Sequence, residues 1–367
     1  MKNCQSAVFC GFVYPNLKML RRILVAAVYR EFPHRTAVNF HTTAFRALNR
    51  KQITERVHPF SHINVNLKKV SQVKILPYDL LDCPDANLLR ATVTSDTAEP
   101  RVAIEVQDND VHVTDEGSEA SEIVLEIPVK ADLTVELDGA LEVSDLHSDQ
   151  LAVKAAKGIK TKNLRSENIQ LHSGGNVECR GLTLGYRVQI KAENSGNISL
   201  EKIQGEELQV DSDSGTISTE SCYSTFSKFT SKSGNMALNS VHRTTEVNIL
   251  EQGNLQMCGF NGTLLVKVRR GNVQLQLAEL WGENVVITND SQEVSVNVAD
   301  AVVDSTYFHA AATDVHLDET LKHLRGEKET GATTLGQKDL PNKIFIQTKG
   351  RLEIRRLSWV DAIKLKM

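Results

Sequence analysis

The chain repeats a short phrase, Gly196-Asn197-Ile198-Ser199-Leu200, in which a glycine and a polar residue precede alternating apolar residues. The other copies begin at Gly175, Gly215, Gly234, Gly253 and Gly271. Successive glycines in these six copies are 21, 19, 19, 19 and 18 residues apart. A nearly constant period of this length is typical of proteins built by stacking one structural unit along an axis. The sequence therefore predicts a repeat array with a unit of about nineteen residues.

Each copy of the phrase contains two apolar positions separated by one polar or small residue. Two residues after the glycine stand Val177, Ile198, Ile217, Met236, Leu255 and Val273, and four residues after it stand Cys179, Leu200, Thr219, Leu238, Met257 and Leu275. Because side chains alternate between the two sides of a strand, both columns are predicted to be interior and the residue between them to face water. Only 5% of the residues are aromatic, so Val, Ile and Leu are expected to fill this core.

The polar start of the phrase predicts how successive units contact one another. The residue after the glycine is Asn176, Asn197, Thr216, Asn235, Asn254 or Asn272. Stacked asparagines form ladders of hydrogen bonds between neighbouring strands, so we expect these side chains to link one unit to the next. The glycine is expected to supply a positive φ at a corner.

A second apolar pair lies about midway through each unit, for example Val188 and Ile190, or Val285 and Ile287. Two strands and two turns per unit describe one coil of a parallel β-solenoid, which makes the chain all-β. The array is expected over residues 131–300, with the two-strand coils beginning near Leu133 and ending near Val298. A β-rich capping region is expected before it, over residues 57–130, an insertion with a mobile loop over 301–340, and the last coil and a C-terminal cap over 341–367.

The C-terminal tail carries an apolar group next to basic residues. Trp359, Val360 and Ile363 form this group. The last coil of a solenoid exposes apolar side chains and unpaired backbone, which must be covered. The tail is therefore predicted either to cap that end or to serve as a docking peptide, and an uncovered end would allow end-to-end self-association.

The first fifty residues are rich in Arg and Lys and contain a single acid, Glu31. Leu17, Leu20, Leu24 and Val28 recur at helical spacing. This composition predicts a mitochondrial transit peptide, and a disordered basic leader is the simpler alternative. A secretory signal with its core at Ile23 to Tyr29 is a further alternative, in which case the protein is secreted. That apolar run is too short to span a membrane.

Candidate chemical sites in the chain are sparse. His58 and His62 have the spacing of helical metal ligands, but Pro59 lies between them, and Glu193, Asp211 and Asp213 form an acidic group without a repeated calcium motif. The sequence contains no phosphate-binding loop, HExxH helix or GxSxG elbow. No catalytic residue, metal or cofactor is predicted. Because the basic residues concentrate in the leader, the body offers no surface for nucleic acid.

The entry into the array and the serial glycine phrases resemble a known type of domain. Ile127-Pro128-Val129, Leu133-Thr134-Val135 and the repeated phrases are similar to the adhesin-like β-solenoid domain of unknown function common in bacteria. The whole chain resembles the animal "family with sequence similarity 185" proteins of the member A type, which share the leader, the array, the late insertion and the ending Arg355-Arg356, Ser358-Trp359 and Lys364-Leu365. The resemblance implies the solenoid fold and a mitochondrial address, and it implies no catalytic residues.

Two classes of function are compatible with these features. The first is a non-catalytic scaffold whose extended faces bind another protein or a polymer, either in the mitochondrion or as a secreted adhesin-like protein. The second is a carbohydrate-active enzyme of the β-helix kind, a lyase or hydrolase. An enzyme requires acids and bases that converge on one face, whereas the charges of this array are distributed in columns.

Overall fold

The computed structural model describes residues 49–79, 81, 84–95, 102–115, 120–326 and 331–357. Ten strands precede the glycine phrases: β1 (Asn49–Arg56), β2 (His62–Leu67), β3 (Val70–Pro77), β4 (Leu88–Ser95), β5 (Val102–Gln107), β6 (Asp110–Asp115), β7 (Ala120–Ile127), β8 (Asp132–Leu137), β9 (Ala140–Ser144) and β10 (His147–Ala155). The array forms β11 (Gly158–Ser173), β12 (Asn176–Ala192), β13 (Ile198–Ser212), β14 (Ile217–Ser231), β15 (Met236–Asn239), β16 (His242–Ile249), β17 (Leu255–Arg270), β18 (Val273–Leu280), β19 (Glu283–Asp290) and β20 (Glu293–Val298). The C-terminal elements are α1 (Asp300–Ser305), β21 (Thr306–Ala311), β22 (Asp314–Leu317), a 3-10 helix (Glu319–Leu324), β23 (Thr333–Leu335), β24 (Asn342–Gln347) and β25 (Arg351–Arg356).

The strands of the array pair in parallel, each with its counterpart one unit later. Ile198 pairs with Ile217, Ile217 with Met236, and Met236 with Leu255. Several strands are long enough to bend and contribute to both sides of the coil. Strand β11, for example, pairs with β9 over its first five residues and with β10 over its second half. We call the side formed by the glycine phrases the first face and the other side the second face. The predicted parallel β-solenoid is confirmed.

The interior of the solenoid contains both predicted columns of the glycine phrase. The members two residues after the glycine are at most 1% exposed, and those four residues after it are at most 2% exposed. Val, Ile and Leu dominate the buried set, as expected, and Phe229 and Phe260 are the buried aromatic residues of the array strands. The described chain therefore has one continuous apolar core between the two faces.

Three cysteines of the described residues are free thiols, and two of them belong to this core. Burial raises the pKa of the Cys179 thiol to about 11, and it also raises the pKa of Cys222. Since the thiolate is the reactive form, we expect iodoacetamide at pH 8 to leave both unmodified in the native protein and to modify both in urea. Peptide mass spectrometry measures this, and rapid native labelling of Cys179 would contradict its interior position.

At the N-terminal end, the order of the coils in space differs from their order in the chain. Strands β2 and β3 pair on one side with β8 and β9, and on the other side with β6 and β7, which follow them in the sequence. Beyond these, β5 pairs antiparallel with β6, β4 with β7, and β1 with β4. The region predicted as a cap thus contributes two parallel coils to the stack as well as antiparallel edge strands.

The C-terminal end shows the same exchange of order. Strands β24 and β25 pair with β19 and β20 on one side, and with β21 and β22 on the other. The unit at 342–356, which the sequence analysis took as the last coil, is therefore the penultimate coil. The outermost coil comes from residues 306–317, inside the segment expected to be an insertion, where the sequence shows no glycine phrase.

The rest of the insertion packs against this outermost coil. Phe308 of β21, Leu321 of the 3-10 helix and Leu335 of β23 are buried and line one small internal space. The loop predicted to be mobile runs from Glu327 to Gln337. Its second half, residues 331–337, is structured, because β23 pairs with β21. Trp359, Val360 and Ile363 lie outside the described residues, so their capping or docking role stays a prediction.

One predicted interior pair is wrong. Val285 and Ile287 are half-buried and point outward, whereas Val286 and the neighbouring Asn284 are buried. The coil accepts a buried amide because Asn284 is fully used: its Oδ1 accepts from the Leu264 N–H at 2.8 Å and its Nδ2 donates to the Lys343 carbonyl at 3.1 Å. The register of this coil is therefore shifted by one residue relative to the prediction.

Candidate functional site

The predicted glycine column is present, but the expected reason for it is wrong. Of the six phrase glycines only Gly271 has a positive φ. The glycines are required because the coils approach too closely for a side chain: a Cβ on Gly215 would lie 1.9 Å from the Gly196 carbonyl oxygen, and one on Gly253 would lie 2.0 Å from that of Gly234. The same holds for Gly175, Gly196, Gly234 and Gly271. The column is therefore a seam of backbone contact between coils.

The asparagines that follow these glycines link successive coils. The Oδ1 atom of Asn176 accepts from the backbone N–H of Asn197 at 2.8 Å, and that of Asn197 accepts from Thr216 at 2.8 Å. In the same way, the Oδ1 atom of Asn235 accepts from the Asn254 N–H and that of Asn254 accepts from the Asn272 N–H, each at 2.9 Å. The predicted ladder thus joins side chain to backbone, and it satisfies N–H groups at the corner of each coil.

Removing one link should have a modest, measurable cost. In Asn254→Ala, the Asn272 N–H loses its acceptor, and we expect a loss of about 1 kcal/mol of unfolding free energy. Urea denaturation measures the change. The exposed Gln256 in the same phrase provides the matched control, Gln256→Ala, which should stay within about 0.5 kcal/mol of wild type. Equal losses in both variants would contradict the assigned role of the ladder.

A groove crosses six coils where the strands bend from the first face to the second. It encloses about 680 Å³. We call it the corner groove, and its lining consists of His147, Ser148, Asp149, Arg165, Ser166, Glu167, Leu184, Gly185, Tyr186, Gln204, Gly205, Glu206, Tyr223, Thr225 and Arg243. This volume is in the range of ligand-binding clefts.

The floor of the corner groove consists of small residues in register. Ser148 pairs with Ser166, Ser166 with Gly185, and Gly185 with Gly205. A Cβ on Gly205 would lie 1.8 Å from the Gly185 carbonyl oxygen, so the coils contact directly here as well. The side chains on either side of this row point outward and form two walls. The pairing register skips the second wall, Asp149, Glu167, Tyr186, Glu206 and Thr225, which marks the bend.

Two tyrosines project from opposite walls. Tyr186 is 59% exposed and Tyr223 is 44% exposed. The ring of Tyr223 is stacked on His242, with 4.4 Å between ring centroids and an interplanar angle of 12°. Burial lowers the pKa of His242, which favours the neutral imidazole in this stack. The Tyr223 ring is therefore held in place on one side and accessible on the other.

Apart from Leu184, the remaining wall groups are polar, and the charged ones are of both signs. Arg243 donates to the Thr225 hydroxyl at 3.0 Å. Among the residues that the structure describes, none donates a hydrogen bond to the carboxylates of Asp149, Glu167 or Glu206. These carboxylates occupy one wall only, with Tyr186 between Glu167 and Glu206 along it. The groove thus offers acceptors on one side and the donors Arg165 and Gln204 on the other.

The weak metal candidates of the sequence do not converge. His62 contacts the Thr134 hydroxyl, and His58 accepts from the Phe60 N–H. In the acidic group, Glu193 pairs with His172 at 2.8 Å and with Lys191, and these contacts lower its pKa. Asp213 accepts from the Asn194 N–H and Asp211 from Gln209. Over the described ranges, no group of three or more metal-binding side chains is present.

The corner groove was not predicted from the sequence. Its signal was available as a third periodic column, the small residues Ser148, Ser166, Gly185, Gly205 and Ser224, which recur at 18 to 20 residues. Exposed tyrosines beside such a column are a further indication, because large apolar rings at the surface often mark binding sites. The column was overlooked because serine and glycine are also common in turns.

Comparisons with known proteins place the array in context. No curated protein matches the chain. Solved structures that resemble it include a "putative adhesin" from Parabacteroides distasonis (12% identity, TM-score 0.37, 84% of this chain and 97% of the other). Others are a "putative adhesin" from Parabacteroides merdae (12%, 0.33, 85% and 96%) and a "putative lipid binding protein" from P. distasonis (12%, 0.33, 84% and 97%). Because these TM-scores are low, the fold assignment rests on the strand pairing described above.

The comparisons do not show the animal family that the whole chain resembles, so membership in that family remains a prediction. In the described part of the chain, no helix is long and apolar enough to cross a membrane. The match to a family model falls within the array and the segment that follows it. Residues 174–349 match the Toastrack DUF4097 domain.

Proposed function

We propose that this protein is a non-catalytic binding scaffold whose ligand lies in the corner groove. The observation that carries the proposal is the groove itself, a continuous cleft across six coils with two exposed tyrosines and carboxylates that accept no hydrogen bond from the described residues. The solenoid supports it rigidly because every coil that lines the groove is paired on both sides and the backbone seam fixes their spacing. A site built on paired strands is pre-organised, which lowers the cost of binding.

The arrangement of the acids favours binding over catalysis. Enzymes that cleave glycosidic bonds use two carboxyl groups on either side of the scissile bond. In the corner groove Asp149, Glu167 and Glu206 all stand on one wall, and the facing wall carries His147, Arg165, Leu184, Gln204 and Tyr223. This placement supports a scaffold over the alternative of a lyase or hydrolase.

End-to-end association is not part of the proposed function. At one end the insertion packs Leu321 and Leu335 onto the outermost coil. At the other end the edge strand β1 is exposed and carries charged residues such as Arg50, Lys51 and Glu55. Charged edge strands oppose pairing with a second copy. Sedimentation of the purified chain as a monomer is the expected result.

Proximity labelling of the tagged full-length protein tests the scaffold proposal. We expect a reproducible set of labelled neighbours that is lost when the wall is charge-reversed in Glu167→Lys/Glu206→Lys. The matched control is Glu105→Lys/Glu220→Lys, which reverses two exposed acids outside the groove and should retain the labelled set. If the two double variants label the same neighbours, the groove is not the binding site.

The cellular compartment is a separate proposal, supported by the composition of the leader. The excess of Arg and Lys over the single Glu31 supports mitochondrial import. A fusion of residues 1–55 to a fluorescent reporter should therefore co-localise with mitochondria. Reporter in the secretory pathway, or glycans on Asn197 or Asn261 of the full chain, would instead establish the secreted alternative.

A further inference from the structure

We propose that the ligand of the corner groove is an oligosaccharide chain that lies along the axis of the solenoid. This inference rests on the proposed function and adds the chemical class of the ligand. It concerns the chemistry of the groove and holds for the isolated protein in either compartment. Three properties of the lining lead to it: the aromatic rings, the mixture of polar groups and the repeat along the stack.

The aromatic rings supply flat apolar surfaces at two points of the groove. Tyr186 lies on one wall in strand β12, and Tyr223 lies on the other wall in β14, two coils further on. At about 4.8 Å per coil, the two side chains are offset along the axis by roughly 10 Å. A sugar ring has one face of C–H groups that packs on an aromatic ring, while its hydroxyls stay available at the rim. Two such platforms can hold two sugars of one chain.

The polar groups of the walls match a neutral, hydroxyl-rich ligand. Hydroxyls both donate and accept, so they need acceptors and donors within reach. Asp149, Glu167 and Glu206 are acceptors, and Arg165 and Gln204 are donors on the facing wall. Since charges of both signs are present in similar number, the groove has no bias toward a strongly charged polymer. A nucleic acid would require a mainly basic lining.

The same lining positions recur in successive coils of the groove, and this suits a ligand built of repeating units. Its six coils extend over roughly 24 Å at about 4.8 Å per step. Each step presents the same three positions, namely wall, floor and wall. A chain of similar units lying along the axis therefore meets similar groups at each step. A single compact metabolite would use only a fraction of this length.

An extended peptide fits the same groove less well. Peptides that bind to sheets usually add as a strand along a free edge. The corner groove runs across the strands, and its floor is formed by coils that are already paired with each other. Peptide binding in another mode would require deep apolar anchor pockets. The wall side chains with large apolar surface are Leu184 and the two tyrosines, and the tyrosine rings project from the walls.

The test uses the purified full-length chain and an array of neutral oligosaccharides, namely glucans, mannans, xylans and galactans of two to eight sugars. The oligosaccharide that binds best is then titrated into the protein by calorimetry. We expect binding that strengthens with chain length up to about the length of the groove. Tyr186→Ala and Tyr223→Ala should each weaken it at least ten-fold. Trp281→Ala removes an equally exposed aromatic residue outside the groove and should leave the affinity unchanged.

The outcomes separate this inference from the proposed function. Circular dichroism melts of the tyrosine variants should stay close to that of wild type because each ring is exposed on at least one side, so a loss of binding reports on the groove. If none of the tested oligosaccharides binds, or if neither tyrosine substitution weakens binding, the oligosaccharide inference is wrong. If a random peptide library instead yields ligands that the tyrosine variants abolish, the groove remains the site and only the ligand class is wrong.

Discussion

Ile217→Asp is expected to unfold the array. Ile217 is fully buried, and its ladder partners Ile198 and Met236 are apolar and buried as well. A carboxylate there has no partner, and burying it or protonating it costs several kcal/mol in addition to the lost packing of the isoleucine. Since domains are stable by only about 5 to 15 kcal/mol, we expect loss of the cooperative urea transition or a midpoint far below wild type.

The neighbouring Ser218 supplies the control for this substitution. Its side chain points outward, and its hydroxyl donates to the Ile198 carbonyl at 3.3 Å. Ser218→Asp introduces the same carboxylate one residue away and should cost no more than about 1 kcal/mol. A folded Ile217→Asp protein with an unchanged melting temperature would show that the register of the core is wrong. Comparable damage from both variants would show that charge alone is responsible.

Gly215→Ala should be strongly destabilising although it adds a single methyl group. The new Cβ would lie 1.9 Å from the Gly196 carbonyl oxygen and 2.9 Å from the Asn197 nitrogen, both of them backbone atoms of the neighbouring coil directly before β13. The coils must therefore separate locally. We expect a loss of about 3 kcal/mol, at the upper end of the usual range for overpacking, measured by urea denaturation.

Gly158→Ala is the matched control for the glycine seam. Gly158 also lies in the stack and lacks a positive φ, but a Cβ there would meet its nearest neighbour, the Asn176 carbonyl oxygen, at 3.3 Å. A shift of a few tenths of an ångström relieves this contact, so we expect a change of less than about 1 kcal/mol. If the two variants lose the same stability, close approach is not the reason for the glycines.

The fold of the array could be predicted because the solenoid makes each coil repeat the same local rules. The spacing of Gly196, Gly215 and Gly234 indicated the unit, and the alternation after each glycine indicated which side chains are buried. The reason for the glycines could not be obtained in this way. Positive φ and close backbone approach both select glycine, and only the distance from Gly215 to the coil beside it separates them.

Features that depend on contacts distant in the chain were not predictable. Asn284 is buried because the carbonyl of Lys343, about sixty residues later, accepts from its amide. The coil formed by β21 and β22 has no glycine phrase, since it lies outside β24 and β25 and β21 pairs on its other side with β23 of the insertion rather than with another repeat. A periodic search finds units that resemble their neighbours, and terminal units differ from them for physical reasons.

The candidate site was missed for a related reason. Tyr186 and Tyr223 are separated by 37 residues and belong to different walls, and their joint position follows only from the pairing of Gly185 with Gly205 and of Gly205 with Ser224. The sequence analysis searched for catalytic motifs and metal spacings, which concentrate chemistry in a short segment. In a groove across stacked coils, each coil contributes only a few residues, so the lining is spread along the chain.

The exchanged order of coils at the C-terminal end has a consequence for synthesis on the ribosome. Residues 306–317 emerge before residues 342–356, yet the later segment lies between them and the rest of the stack. The outermost coil therefore has no parallel partner until β24 and β25 have been made. The array can assemble coil by coil as it emerges, but its end must stay open until the last part of the chain arrives. A nascent chain stopped before residue 342 exposes the edges of β19 and β20, which makes completion of this end the step most vulnerable to aggregation or proteolysis.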